Sequence, residues 1–137
     1  MPAGQRRRSR IAALQTLYEW EYAANSPEQI LERTLQGKEL TGQASEFATR
    51  LVNGVIENKQ ELDDTISRLA PAFPINQMAA MDRNILRIAL FEVLIDMSVP
   101  TKAAINEAVE LAKDFGSDTS PRFINGVLGS AISGLTK

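Results

Sequence analysis

Four arginines crowd the start of this chain: Arg6, Arg7, Arg8 and Arg10 fall within the first ten residues, and no carboxylate appears before Glu19. A guanidinium keeps its charge at any physiological pH and donates hydrogen bonds in pairs from a planar fork, which suits it to phosphate. Arg6 and Arg10 stand one helical turn apart while Arg7 and Arg8 point elsewhere, so on a helix the cations spread around its end. That arrangement grips a flexible single strand better than it lies along one face of a duplex. Taken alone, the same run reads equally as a solvated, disordered tail. Unpaired bases also stack on aromatic rings, and Tyr18 and Phe123 each fall beside a polar run. Each also lies on or next to an apolar stripe, so a stacking platform and a core residue are both open.

The elements that must carry these groups belong to a chain with little scope for catalysis. Its 137 residues include no histidine and no cysteine, which excludes disulfides, thiolate nucleophiles, zinc sites of the usual kinds and any Ser-His or Cys-His pair. No phosphate-binding glycine loop, dinucleotide fingerprint or EF-hand occurs. Carboxylates are the remaining acid or base candidates. Asp63 and Asp64 are adjacent, so they do not face one another on a helix, and an exposed first turn is their expected home. Glu107, Glu110 and Asp114 share a face, but without histidine a helical di-metal site lacks its usual ligands. A binding protein with no cofactor and no metal is expected. Fifteen bases against seventeen acids give −2 overall. Setting the four leading arginines aside leaves eleven against seventeen, a body of −6 with a basic tip, which implies a localised polyanion site. No apolar run reaches the ~18 residues of a membrane span and no signal-peptide core follows the arginines, so a cytoplasmic protein is expected.

Apolar residues recur at helical spacing throughout, and strand-like alternation is nearly absent. A first helix carrying Ile11, Leu14, Tyr18 and Tyr22, with Leu17 beside them, is expected to run to about Ala24. Ser26-Pro27-Glu28-Gln29 reads as a capping box with proline at the first helical position, opening a second helix that Gly37 ends. A third spans about Gln43 to Asn58. Asn58 and Glu61 read as another capping pair for a short fourth helix, closed by Pro71 and Pro74. The fifth, from Asp82 as N-cap to Asp96, is apolar on nearly all sides and should sit at a bundle centre. The sixth carries Ile105, Ala108, Val109, Ala112 and Phe115, and Gly116 stops it. Ser120-Pro121 starts a seventh with Ile124, Val127, Leu128, Ala131 and Leu135.

Four blocks in order resemble the NusB family of bacterial antitermination factors. They are the opening Arg6 to Arg10 with Ala13 to Trp20, the central Asp82 to Glu92, the run Ala104 to Lys113, and Arg122 to Leu128. The resemblance covers nearly the whole chain. It implies an all-α, seven-helix bundle of two perpendicular sub-bundles within one domain, about 1–75 and 76–137, and a non-enzymatic role. That role is binding the boxA segment of nascent RNA together with NusE, a small-subunit ribosomal protein. It places both within the RNA polymerase antitermination complex on ribosomal RNA operons. Arg6, Arg7, Arg8 and Arg10 match the family's arginine-rich RNA motif, Tyr18 and Phe123 its aromatic RNA contacts, and Thr119 another RNA-side position, where some relatives carry an acid. Asp82, with Arg83 beside it, matches the NusE surface. The family includes both monomers and homodimers. Two other readings stay open: the RNA-binding front domain of an rRNA cytosine methyltransferase, which needs a cofactor domain beyond Lys137, and a protein-interaction bundle with a disordered basic tail.

Overall fold

The computed structural model describes residues 1–135, which form seven α-helices and no strand. The chain divides into two compact units after Glu57. The boundary lies well before residue 75 because α4 (Lys59–Leu69) packs on α5 (Ala80–Leu90) and α7 (Ser120–Leu135) of the second unit.

The first unit holds α1 (Ala3–Trp20), α2 (Pro27–Gly37) and α3 (Gly42–Glu57), each packed on the other two. The four arginines lie inside α1, not in a tail ahead of it. Its first turn forms at Pro2, whose carbonyl accepts from the amides of Gln5 and Arg6 at 3.1 Å. The helix ends at Trp20 rather than Ala24, its last turn tightening as the amides of Glu21 and Tyr22 donate three residues back, to the Tyr18 and Glu19 carbonyls at 3.3 and 3.0 Å. The buried face of α1 is made of small residues as well as leucines: Ser9, Ala12, Ala13 and Thr16 are buried with Leu14 and Leu17. Small side chains let α1 approach α3 closely enough for Ser9 Oγ to donate to the Ala44 carbonyl at 2.8 Å. Tyr18 and Tyr22, expected on the apolar stripe, are excluded from this contact and stand 38% and 67% exposed. The capping box of α2 forms as read, with the Gln29 amide donating to Ser26 Oγ at 3.2 Å and the Ser26 amide to Gln29 Oε1 at 3.4 Å.

In the second unit α5 is central, packed by α4, α6 (Thr101–Phe115) and α7. Ile85, Leu86, Ile88, Ala89 and Leu90 are all buried, and each large apolar side chain so placed contributes about 1.5–3 kcal/mol. The helix begins at Ala80, two residues before the expected cap, so Asp82 lies in its first turn and is not the N-cap. It continues as a π-helical turn, Phe91–Asp96, closed by Met97 in the left-handed region at φ 53°. Asn58 precedes α4 but its side chain makes no capping bond. Asp63, expected on an exposed first turn, instead meets Arg87. The guanidinium donates through Nε to Oδ1 at 2.7 Å and through Nη2 to Oδ2 at 3.0 Å, and Nη1 reaches Asn84 Oδ1 at 3.0 Å. Asp64 stays at the surface, accepting from Gln60 at 2.9 Å.

Gly116 ends α6 as expected, but through close approach: a Cβ there would sit 2.5 Å from the Cβ and Oγ of Ser120. Ser120 Oγ in turn accepts from the Ser117 amide at 2.9 Å, fixing the turn into α7. Within α7 the stripe Ile124, Val127, Leu128 and Ala131 is buried; the Leu135 side chain lies outside the described part of the molecule. Among the described residues no helix is long and apolar enough to cross a membrane.

Two stability measurements check this packing. Asp63→Ala strands a buried guanidinium and should lower unfolding free energy by about 3–5 kcal/mol in urea titration, whereas Asp64→Ala should stay within about 0.5 kcal/mol. Equal effects from the two would show that the Arg87 fork does not hold α4 to α5. Gly116→Ala should cost about 1–3 kcal/mol by overpacking against Ser120; an unchanged midpoint would mean that the turn yields freely.

Candidate nucleic-acid interface

The first unit presents its cations from the opening turns of α1, and the four arginines fare differently. Arg7 and Arg8 are exposed and Arg6 is half-buried. Arg8 Nη2 donates to the Lys38 carbonyl at 2.6 Å, which ties the guanidinium to the end of α2. Arg10 is only 3% exposed. Its guanidinium carbon lies 5.2 Å from the centre of the Phe47 ring, and that of Arg50 lies 5.1 Å from the same ring. A cation over a desolvated ring is held firmly, so Arg10 secures α1 on α3 and does not offer its charge to solvent. Arg50 is exposed, a cation beside the arginine set that sequence reading passed over because it stands alone in α3.

At the other end of α1, Tyr18 and Tyr22 pair with centroids 5.3 Å apart and planes tilted by 58°. Their exposure settles the question left open for Tyr18: it is a surface ring, not a core one. Glu19, the first acid after the arginines, is paired with Arg33 of α2. The carboxylate beside the tyrosines thus carries its own counter-charge.

The second unit gathers its expected site residues in one groove of about 510 Å³, lined among others by Phe73, Met78, Asp82, Thr119, Arg122 and Phe123. Phe123 is half-buried and meets Phe73 edge-on, centroids 5.0 Å apart at 65°. Phe73 is 54% exposed. Sequence reading missed it, because Pro71 and Pro74 marked its segment only as a helix break. Thr119 is exposed at the turn before α7, its hydroxyl 3.2 Å from that of Ser117. Asp82 enters the groove with the residues matched to RNA, and its Oδ1 is buried and accepts no hydrogen bond from any described residue. Arg83, next to it, is half-buried and donates to the Met78 carbonyl at 2.5 Å, fixing the start of α5. Among the described residues no cluster of three or more acids, histidines or cysteines could hold a metal ion. Glu110, of the acidic face on α6, pairs with Lys113 at 3.1 Å.

Arginine-bearing helix and aromatic groove can be set beside known proteins. The chain is 51% identical over 133 residues to the transcription antitermination protein NusB of Chloroflexus aggregans, covering 96% of this chain and 89% of the relative. It is 50% identical to the protein of the same name from a Roseiflexus species, covering 96% and 94%. Among solved structures, T. maritima NusB superposes with a TM-score of 0.85 at 37% identity, over 94% of this chain and 89% of that one. The crystal structure of the antitermination factors NusB and NusE in complex with dsRNA gives 0.87 at 23% identity over 97% and 99%, a likeness of fold. The family model for NusB matches residues 7–133. With relatives at this identity along nearly its whole length, the chain belongs to the NusB family.

Proposed function

We propose that this chain is a transcription antitermination factor that works by binding and not by catalysis. In this reading it holds the boxA segment of nascent ribosomal RNA transcripts as a single strand, together with NusE, in the RNA polymerase antitermination complex. The observation that carries it is the 51% identity to an antitermination protein across 96% of the chain. The chemistry supports the same reading. Exposed guanidiniums on α1 supply phosphate contacts, and Tyr18 and Phe123 offer ring faces to unpaired bases. Thr119, at the rim of the groove, adds a hydroxyl that donates or accepts. NusE, a protein partner of basic ribosomal type, is assigned to the first turn of α5. There Asp82 supplies the charge that steers it, and Arg83 holds the turn in shape. If two copies self-associate through the arginine-bearing face of α1, RNA or NusE draws them to monomers by mass action.

The burial of Arg10 changes the expected salt dependence. Three phosphate contacts, by Arg6, Arg7 and Arg8, give a log–log slope of about −2 for a single strand, or about twenty-fold between 50 and 200 mM salt. Replacing Arg7 and Arg8 together by alanine should flatten the slope by roughly 1.4. Arg10→Ala should leave the slope alone and lower stability, by about 2 kcal/mol if its ring contact dominates. Tyr18→Ala and Phe123→Ala should each cost about 1–3 kcal/mol of RNA affinity with the slope unchanged. Filter binding of a boxA-like oligonucleotide across a salt series reads the slopes and affinities, and urea titration reads the stability of Arg10→Ala. A slope near zero, or one that survives loss of Arg7 and Arg8, would sink the arginine grip.

A further inference from the structure

The groove of the second unit holds an imbalance that its role as a stacking surface does not use. Its walls are apolar and aromatic, with Phe73 and Phe123 meeting edge-on and Met78 beside them. Against those walls stands a carboxylate, Asp82, whose Oδ1 is buried and receives no hydrogen bond from any described residue. A buried acceptor left unmet is unfavourable until a donor reaches it. Asp82 lines the groove, so rotation about its short side chain would bring that oxygen to a group held beside the rings.

We propose that this groove is a pocket for one unpaired nucleobase carrying an exocyclic amino group, and that Asp82 reads that group. The inference rests on the RNA-binding reading above and adds base selection to it. About 510 Å³ of groove alongside the aromatic pair is ample for a single base stacked on an outer ring face. An ionised carboxylate is acceptor-only and repels phosphate, so the ligand atom that approaches Asp82 belongs to a base edge and not to the backbone. Arg122, exposed on the groove lining, is the complementary group: it draws the phosphates to the rim. Adenine and cytosine each present an amino donor on their pairing edges, and guanine presents one beside a ring N–H. Uracil offers a single ring N–H flanked by two carbonyl oxygens, whose partial negative charges face the carboxylate. The pocket therefore accepts adenine, cytosine or guanine and disfavours uracil. The first turn of α5 then has two uses, one toward RNA through Asp82 and one toward NusE.

Atomic substitution in the RNA tests this with the full chain. A boxA-like single-stranded oligonucleotide is altered one position at a time, adenosine to purine riboside, guanosine to inosine and cytidine to uridine, each change deleting or replacing an amino group. At one position the loss should weaken binding about tenfold, the discrimination of a single hydrogen bond to a charged group. Asp82→Asn, whose amide both donates and accepts, should reduce that discrimination to about twofold or less while the salt slope and helix content stay as in the parent. Full discrimination retained by Asp82→Asn, or no position sensitive to amino deletion, overturns the proposal. If Asp82→Asn loses NusE affinity but keeps its base preference, the carboxylate serves the protein partner alone and the proposal also fails. Absence of any RNA binding by the parent chain would instead remove the RNA reading itself, a result distinct from loss of base preference.

Discussion

The fork between Arg87 and Asp63 is the interaction on which the second unit depends. It joins α4 to the central helix with two hydrogen bonds of 2.7 and 3.0 Å, and a third from Arg87 to Asn84 holds the guanidinium plane. Neither charge has much water around it, the side chains being 5% and 15% exposed. Such a pair gains little against an apolar substitute of the same shape, but losing one member strands the other. Its value here is positional. With α4 pinned to α5, the chain between Leu69 and Ala80 must close a fixed gap, and that closure sets Phe73 against Phe123 and carries the chain to Asp82. The groove geometry follows from an ion pair that takes no part in lining it.

The first unit uses arginine differently. One sequence motif supplies both a structural cation and surface ones, divided by helical phase. Arg10 shares the buried face of α1 with Ser9 and Ala13, and lies by the Phe47 ring. Arg7 and Arg8 lie off that face and remain exposed. The anchored member keeps the presenting turn helical so near the chain start, where an isolated helix end would fray.

Local chemistry made much of the fold legible. The capping box at Ser26 and Gln29, the stop at Gly116 and the apolar set Ile85, Ile88, Ala89 and Phe91 of a helix apolar on nearly all sides each report on their own neighbourhood, and the structure shows each of them. Where the deciding contact lies far along the chain, local pattern does not reveal it. Periodicity weights large side chains and so puts Tyr18 and Tyr22 on the stripe of α1, whereas the close approach to α3 favours Ser9, Ala13 and Thr16. Asp63 looks like a solvated acid until Arg87, 24 residues on, is brought to it. The π-helical turn before Met97 has no local signature at all. Of the candidate site, motif and resemblance single out the arginines, Tyr18, Phe123 and Thr119 as candidates. Phe73 was not, because its role comes from a ring fifty residues later in the chain.

The groove is assembled from residues 72–82 and 119–123, two stretches that an unfolded chain keeps far apart. Neither stretch contains it alone. Whatever occupies it therefore binds the folded form alone, and occupancy is added to the free energy of folding in proportion to the logarithm of ligand concentration. The abundance of that ligand and the conformational lifetime of this unit thus become one coupled quantity. A ligand held in the groove thus slows the openings of α5 and α7 through which proteases gain entry.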